Sequence, residues 1–147
     1  MKPGTKNILK LLAALILISV VSYVGCQFFY KKTLNINTVY ADSAITAERL
    51  VLSYTINEQQ SNETYREKIL EITGVVREVT FINNRNTVIL HGNDIDAGVI
   101  CDMTDDQAAR IKQLTKGQTI VVKGICKGFL KDVILINCIL IKVPTNG

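Results

Sequence analysis

The chain has 147 residues, of which 48% are hydrophobic and 20% charged, a composition that excludes a disordered chain and leaves room for one small domain. Its formal net charge of +4 arises near the N-terminus, where five of the 17 basic residues flank an apolar segment: Lys2, Lys6, Lys10, Lys31 and Lys32. From residue 33 onward there are 12 basic and 13 acidic residues, a net charge of −1, so the charge does not indicate a nucleic-acid-binding domain.

The first predicted element is a membrane-spanning helix from Leu11 to Tyr30, 20 consecutive residues without a charged side chain. A helix that rises about 1.5 Å per residue needs about 20 residues to cross the hydrocarbon core of a bilayer. Phe28, Phe29 and Tyr30 come just before two lysines and resemble the aromatic belt and charged stop of such a helix. Residues 1–32 are therefore predicted to be a membrane anchor. More lysines precede the helix than follow it, which favours a cytoplasmic N-terminus.

Cys26 leaves two other interpretations of this segment open. It follows Gly25 at the end of the apolar run, as the modified cysteine of a lipoprotein signal would. Tyr23, however, stands where a lipobox normally has an aliphatic residue. A cleaved signal peptide is the second alternative. All three interpretations put residues 35–147 on the outer side of the membrane.

The next predicted segments are a tether at residues 33–43, a globular domain at 44–143 and a tail at 144–147. The domain begins with an amphipathic helix, capped by Asp42 or Ser43, whose apolar residues recur at helical spacing: Ala47, Leu50, Val51 and Tyr54. The polar stretch from Asn57 to Glu63 is predicted to end this helix in a loop.

The rest of the domain alternates in the manner of β-strands, interrupted by one helix. The predicted strands are Ile69–Phe81, Thr87–His91, Val99–Met103, Thr119–Lys127 and Asp132–Lys142, and the helix is Asp105–Leu114. Three strands, a helix and two strands is the order of the five-stranded OB-fold barrel, a closed fold that leaves no exposed strand edge. The predicted fold class is therefore mainly β. An SH3-like barrel, the main competitor, would not normally place a helix of this length between its third and fourth strands.

Residues 45–141 resemble a known bacterial family. The first half carries Thr46-Ala47-Glu48-x-Leu50, Tyr54, Asn57-Glu58, Asn62, Tyr65, Lys68 and Glu71-x-Thr73-Gly74-x-Val76. The second half carries Gly98-Val99-x-Cys101, Lys116-Gly117-Gln118-x-x-x-Val122-Lys123-Gly124-x-Cys126-x-Gly128 and Asp132-Val133-x-Leu135-x-Asn137-Cys138. These residues resemble the tRNA_anti-like family of OB-fold proteins, which typically have a membrane segment ahead of the barrel. The resemblance implies a single-pass protein of the bacterial inner membrane with an extracytoplasmic domain, and it supplies no catalytic residue.

The sequence shows no residue set that indicates catalysis, a metal or a cofactor. His91 is the sole histidine and cannot by itself form a metal cluster or a nucleophile relay. The acidic residues of the middle region lack the spacing of a calcium loop: Asp94, Asp96, Asp102, Asp105 and Asp106. We therefore expect a protein that is not an enzyme and binds no cofactor.

Three cysteines fall on the strand phase predicted to face the core: Cys101, Cys126 and Cys138. The third and fifth strands of an OB barrel are parallel neighbours, which predicts a disulfide between Cys101 and Cys138. A hairpin centred near Leu130 puts Cys126 opposite about Ile134, leaving Cys138 roughly 13 Å farther along the strand and out of disulfide reach.

The predicted function is a non-enzymatic binding or scaffolding module of the cell envelope that recruits a peptide, a glycan or a partner protein. The alternative is a nucleic-acid-binding OB-fold protein, which needs a basic groove with stacking aromatic residues. The near-neutral charge makes nucleic acid the weaker candidate, and aromatic residues beyond the tether are few: Tyr40, Tyr54, Tyr65, Phe81 and Phe129.

Overall fold

The computed structural model describes residues 4–29, 35–93 and 96–144. It divides into two compact units, residues 1–34 and residues 35–147. The boundary between the units lies close to the predicted end of the membrane anchor.

Helix α1 (Thr5–Phe29) forms the described part of the first unit. Its stretch Thr5–Cys26 is long and apolar enough to cross a membrane, and none of that stretch is buried in the protein. Lys6 and Lys10 lie in its first turns. Tyr30, Lys31 and Lys32, which were expected to end the span, lie outside the described residues.

The second unit contains six strands and three short helices among its described residues. In chain order these are β1 (Ser43–Thr46), α2 (Ala47–Ile56), α3 (Glu58–Tyr65), β2 (Ile69–Ile82), β3 (Arg85–His91), β4 (Gly98–Met103), α4 (Ala108–Ile111), β5 (Thr119–Phe129) and β6 (Val133–Lys142). A single 3-10 turn, Asp105–Gln107, leads into α4. The strands and the helix between β4 and β5 agree with the prediction to within a few residues.

The sheet closes into a five-stranded barrel because β2 is shared between two neighbours. Its first half pairs with β5 (Ile69 opposite Ile125) and its second half pairs with β3 (Val79 opposite Val88), both antiparallel. The remaining neighbours are β3–β4, β4–β6 and β6–β5, and the β4–β6 pair is parallel. The predicted OB barrel is confirmed. Strand β1 pairs in parallel with β2 outside the barrel.

Two local predictions before the barrel were wrong. The cap of α2 is Thr46, whose Oγ1 accepts a hydrogen bond from the Arg49 amide at 3.3 Å. Asp42 instead exchanges two hydrogen bonds with the backbone of Ile69, which fixes β1 beside β2. The predicted loop after α2 is helix α3, capped by Asn57 Oδ1. Because α3 is polar almost throughout and buries mainly Ser61, it shows no apolar period from which a helix could be predicted.

The predicted tether differs from the structure over its described part, residues 35–43. Ile36 is only 3% exposed and packs with Ile69 and Ile139 on the outside of the barrel. The Lys123 ammonium donates a hydrogen bond to the Val39 carbonyl oxygen at 2.9 Å. This segment therefore belongs to the globular unit, since isolated apolar residues without a period can still dock on a preformed sheet.

Helix α2 fills one end of the barrel. It contacts β1, β2, β3, β4 and β6, and its buried side consists of Ala47, Leu50, Val51 and Tyr54. The helix approaches the barrel closely at Gly74, where an added Cβ would lie 2.9 Å from the Ala47 Cβ. The predicted apolar stripe is thus confirmed as the face that lies on the barrel.

This packing predicts different effects for two leucines on the same helix. Leu50 is fully buried, whereas Leu52 is 42% exposed. Leu50→Ala should lower the free energy of unfolding by about 2–5 kcal/mol, because it removes buried methyl groups and leaves a cavity. Leu52→Ala is the matched control and should cost under about 1 kcal/mol. Urea denaturation of both variants measures the difference, and equal losses would show that α2 does not close the barrel.

Candidate functional site

The end of the barrel away from α2 carries an open groove, which we call the hairpin groove. One wall is the β2–β3 hairpin, with Phe81, Asn84, Arg85 and Asn86, and the other is the segment that leads through α4, with Asp105, Ala108 and Lys112. Its volume is about 490 Å³. It lies at the start of β3, whereas α2 meets the other end of that strand, where a Cβ added at Gly92 would lie 3.1 Å from Val51.

Local sequence explains the sharp edge of the groove on the hairpin side. Asn83 and Asn84 both have positive φ angles, 52° and 60°, as a tight two-residue hairpin requires. Asparagine tolerates this conformation better than most residues. The turn brings Ile82 opposite Arg85 and Phe81 opposite Asn86.

The opposite wall is fixed to β6 by side-chain hydrogen bonds. Gln107, which is buried, accepts through Oε1 from the Leu140 amide at 3.1 Å. The Arg110 guanidinium donates to the Leu140 carbonyl oxygen at 2.7 Å and to Gln107 Oε1 at 3.2 Å. With Ile111 fully buried below them, these contacts hold α4 in place. The groove is therefore preformed.

The side chains lining the groove combine an aromatic ring with opposite charges. Phe81 is 47% exposed, and the Lys112 ammonium lies 5.9 Å from its ring centroid, within the range of a cation–π contact. Arg85 adds a second positive charge, and Asp105 is the one acidic residue in the lining. The groove can thus offer an aromatic surface, two cations, two amide side chains and one carboxylate to a ligand.

The outer face of β2, β3 and β4, next to the groove, is not suited to phosphates. The strand phase occupied by Val88, Val99 and Cys101 is buried, so the alternate residues face outward. Paired across this outer face are Glu78 with Ile89, Thr80 with Thr87, Ile89 with Ile100, and Thr87 with Asp102. Ile82 pairs with Arg85 on the same phase, next to the turn. The face thus presents one guanidinium at the hairpin among carboxylates, hydroxyls and isoleucines, whereas single-stranded nucleic acid is bound by basic grooves with stacking aromatics.

Three of the few aromatic residues form an internal cluster instead of a binding surface. The Tyr54 ring stacks on Phe129 with centroids 5.6 Å apart and lies 6.3 Å from Tyr65 in a tilted arrangement. Tyr54 Oη is 3.5 Å from Cys126 Sγ. Burial, followed by the hydrogen bond with Cys126, raises the pKa of Tyr54 well above its usual value. The cluster joins α2 and α3 to β5.

The polar residues around α3 contribute to this structural contact. Asn57 caps the helix, and Asn62 Oδ1 lies 3.2 Å from the position that a Cβ on Gly128 would take. A second, smaller groove of about 280 Å³ runs between α2 and α3 and is lined by uncharged polar residues together with Ile56 and Tyr65. It brings no cationic or acidic side chain into its lining.

The acidic residues and the histidine named from the sequence do not converge. Among the described residues, no three His, Cys, Asp or Glu side chains are grouped so that they could hold a metal ion. Asp94 lies outside the described residues. Asp106 has a pKa below its usual value, because it accepts hydrogen bonds from Thr104 and Gln107. His91 pairs with Gly98 between β3 and β4.

The structure does not support the predicted disulfide between Cys101 and Cys138. Both are free thiols, as are the buried Cys126 and the exposed Cys26 of α1. The parallel pairing of β4 and β6 was expected correctly, but a register shift places Cys138 opposite Met103 and Cys101 opposite Leu135. Cys138 is therefore two residues out of register with Cys101, and the two buried thiols form a hydrogen bond and no disulfide.

The buried thiol of Cys138 predicts a loss of stability at alkaline pH. Burial, and next its hydrogen bond with Cys101, raise the pKa of Cys138 well above its usual value. An unfolded thiol releases its proton near pH 8.5, so above that pH the unfolded chain binds fewer protons than the folded chain. The contribution of Cys138 to the free energy of unfolding is thus fully present below about pH 8.5. It is lost as the pH rises toward the folded-state pKa of this thiol.

The urea concentration at the midpoint of unfolding should therefore decrease as the pH is raised from about 8 to about 9.5. This pH range lies below the usual tyrosine pKa. Cys138→Ala is the control, and its midpoint should fall less over the same range. An identical decline in both proteins would contradict the assignment to this thiol.

The class of the protein follows from these observations: a closed OB barrel that follows an apolar N-terminal helix in the sequence, with a polar and aromatic groove at one end of the barrel. The tRNA_anti-like family model matches residues 1–140. The chain belongs to the tRNA_anti-like family, which confirms the resemblance seen in its residues. The match includes the apolar helix as well as the barrel.

Comparison with solved structures supports the fold. A lipoprotein of Klebsiella pneumoniae, described as a candidate nucleic acid-binding protein, aligns with a TM-score of 0.55 and 15% identity over 67% of this chain and 92% of its own. The asparaginyl-tRNA synthetase of Entamoeba histolytica aligns with a TM-score of 0.40 and 11% identity over 55% of this chain and 22% of its own. The second match is too remote to support an argument. No curated protein matches the chain.

The groove residues Phe81, Arg85 and Lys112 were not identified as a site from the sequence. Phe81 was noted only among the few aromatic residues, and Arg85 lies between two predicted strands, Ile69–Phe81 and Thr87–His91. Lys112 is distant from both in the sequence, and only the closure of the barrel brings it over the Phe81 ring.

Proposed function

We propose that this protein is a non-enzymatic binding module of the bacterial cell envelope, anchored in the inner membrane by α1, with its OB barrel on the extracytoplasmic side. The hairpin groove is its binding site. The observation that carries the proposal is the chemistry of the barrel surface: the groove brings an aromatic ring, two cations and one carboxylate together, whereas beyond Arg85 the outer face of β3 and β4 presents Asp102 among hydroxyls and isoleucines.

The proposed location rests on α1. Its apolar stretch Thr5–Cys26 would span about 33 Å at 1.5 Å per residue, which matches a hydrocarbon core of about 30 Å. Lys6 and Lys10 at its beginning favour a cytoplasmic N-terminus. Modification of Cys26 as a lipoprotein would keep the barrel on the same side, so the proposed binding role is the same for either anchor.

The proposal includes no catalysis. The groove brings together one carboxylate and two cations, and it contains no histidine, cysteine, serine or threonine that could act as a nucleophile or a relay. Such a lining is suited to holding a ligand. The partner is an envelope peptide, glycan or protein.

The topology predicts that the barrel is accessible from outside the cell membrane. Protease added to intact spheroplasts should remove residues beyond Lys32 and leave a fragment of the size of the anchor. Immunoblotting against each terminus measures this, with a cytoplasmic protein as the control for lysis. Cleavage that occurs only after lysis would contradict the orientation, and mass spectrometry showing a diacylated Cys26 at a new N-terminus would replace the helical anchor by a lipid.

The surface chemistry predicts that the barrel unit, residues 35–147, does not bind tRNA or single-stranded nucleic acid appreciably. Affinity for nucleic acid comes largely from basic groups that displace counterions along the phosphates, and this unit has a net charge of −1. A titration at about 150 mM salt should give no dissociation constant tighter than roughly a micromolar.

The double variant Glu78→Lys, Asp102→Lys is the positive control, because it converts the outer face of the sheet from acidic to basic. It should gain salt-dependent binding of single strands. Tight, steeply salt-dependent binding by the unmodified unit would overturn this part of the proposal and make nucleic acid the leading ligand.

A further inference from the structure

The hairpin groove brings two positive charges together at one end of the barrel. The ammonium of the exposed Lys112 lies 5.9 Å from the Phe81 ring centroid, and the exposed Arg85 directly follows the tight Asn83-Asn84 turn. Freezing a long basic side chain costs free energy on binding, so a cation already held by a ring loses less. Arg85 and Lys112 carry two positive charges and Asp105 one negative charge, so the lining has a net charge of +1. The barrel unit as a whole is slightly acidic.

The remaining lining residues can exchange hydrogen bonds with hydroxyl and amide groups of a ligand. Asn84 and Asn86 each provide both donors and acceptors, and Asp105 provides acceptors alone. Phe81 and Ala108 are the apolar lining residues, so the groove has one aromatic surface and no apolar pocket for a side-chain anchor. A volume of about 490 Å³ lies within the range of small-molecule sites.

From this lining we propose that the hairpin groove binds a saccharide that carries a carboxylate group, such as an acidic envelope glycan. The carboxylate pairs with Arg85 and Lys112, since the guanidinium fork matches its two oxygens. A sugar ring lies against Phe81. Asn84, Asn86 and Asp105 exchange hydrogen bonds with its hydroxyl or acetamido groups. The inference rests on the proposed function, because it names the ligand class of the same module.

Two other classes of macromolecule fit this groove less well. An extended peptide needs either a free sheet edge or an apolar groove, and β2, β3 and β4 are already paired beside it. A nucleic acid strand leaving the groove along the sheet would meet Glu78 and Asp102. A glycan with isolated carboxylates places few charges at a time near that acidic face.

The test uses the full chain in nanodiscs of zwitterionic lipid and isothermal titration calorimetry. The acidic probe is a hyaluronan oligosaccharide, in which glucuronate alternates with N-acetylglucosamine, and the neutral probe is a chitin oligosaccharide of the same length. The acidic probe should bind at least about tenfold more tightly, since the neutral one lacks the charge-assisted pairs. Equal affinities would overturn the role of the carboxylate.

Four variants locate the site. Arg85→Gln and Lys112→Gln should each weaken binding of the acidic probe about tenfold, because each removes one charged hydrogen-bonding partner. Phe81→Leu should weaken both probes, since it removes the ring surface. Lys131→Gln is the matched control, because Lys131 is an exposed lysine in the turn between β5 and β6, and its affinity should equal that of the unmodified chain. Thermal unfolding by circular dichroism checks that every variant is folded.

Further measurements distinguish a failure of this inference from a failure of the proposed function. An acidic peptide or an oligothymidylate that binds more tightly than the hyaluronan probe, and is weakened by the same groove variants, would overturn the glycan assignment. Hyaluronan binding that is insensitive to all three groove variants would overturn the site. Absence of any hyaluronan binding by the folded chain would also overturn the inference. The proposed envelope location is tested independently, because the protease experiment on spheroplasts involves no saccharide.

Discussion

The division of β2 between two neighbours is the constraint on which the rest of this structure depends. Its first half is hydrogen-bonded to β5 up to Val75, and its second half is bonded to β3 from Val76 onward. A strand that changes partner in this way must bend, and a bulge between Val76 and Glu78 accompanies the change. Gly74 lies just before the change and leaves room for Ala47 of α2. Without this bend the sheet would stay open between β2 and β5 and expose one edge of each strand.

Closure of the barrel also determines where the helices can lie. A five-stranded barrel has two open ends, and each must be covered to keep the buried cluster around Val88, Cys101 and Val122 dry. Helix α2 covers one end with its apolar stripe, and the segment through α4 covers the other with Ile111 and the hydrogen bonds of Gln107. Because α4 is short, it leaves the side of the β2–β3 hairpin open. The hairpin groove is the space that results.

The proposed binding site therefore consists of side chains on rigid supports. Arg85 begins a paired strand, Phe81 lies near the end of another, and Lys112 follows a helix that is fixed to β6. A ligand would meet side chains whose backbone is already fixed, which reduces the entropy lost on binding. The fold alone does not assign a ligand, because the same barrel carries many functions. The argument for a binding role comes from the groove lining and from the acidic residues on the neighbouring outer face.

The sequence by itself determined the anchor candidate, the five barrel strands, the helix between the third and fourth of them and the inward phase of Cys101, Cys126 and Cys138. These features repeat with a period of two or about 3.6 residues, or form one long apolar run, and such patterns are local. The sequence also carried enough family residues to identify the tRNA_anti-like fold. What it could not give were features that depend on contacts between distant segments. Asp42 caps no helix because the backbone of Ile69 is available to it, and Ile36 is buried because β2 and β6 form a surface for it. A register shift between β4 and β6 puts Cys101 and Cys138 two residues out of register, and the approach of Lys112 to Phe81 exists only in the closed barrel. Register and closure are set by the packing of the whole core, so tertiary structure alone decided them.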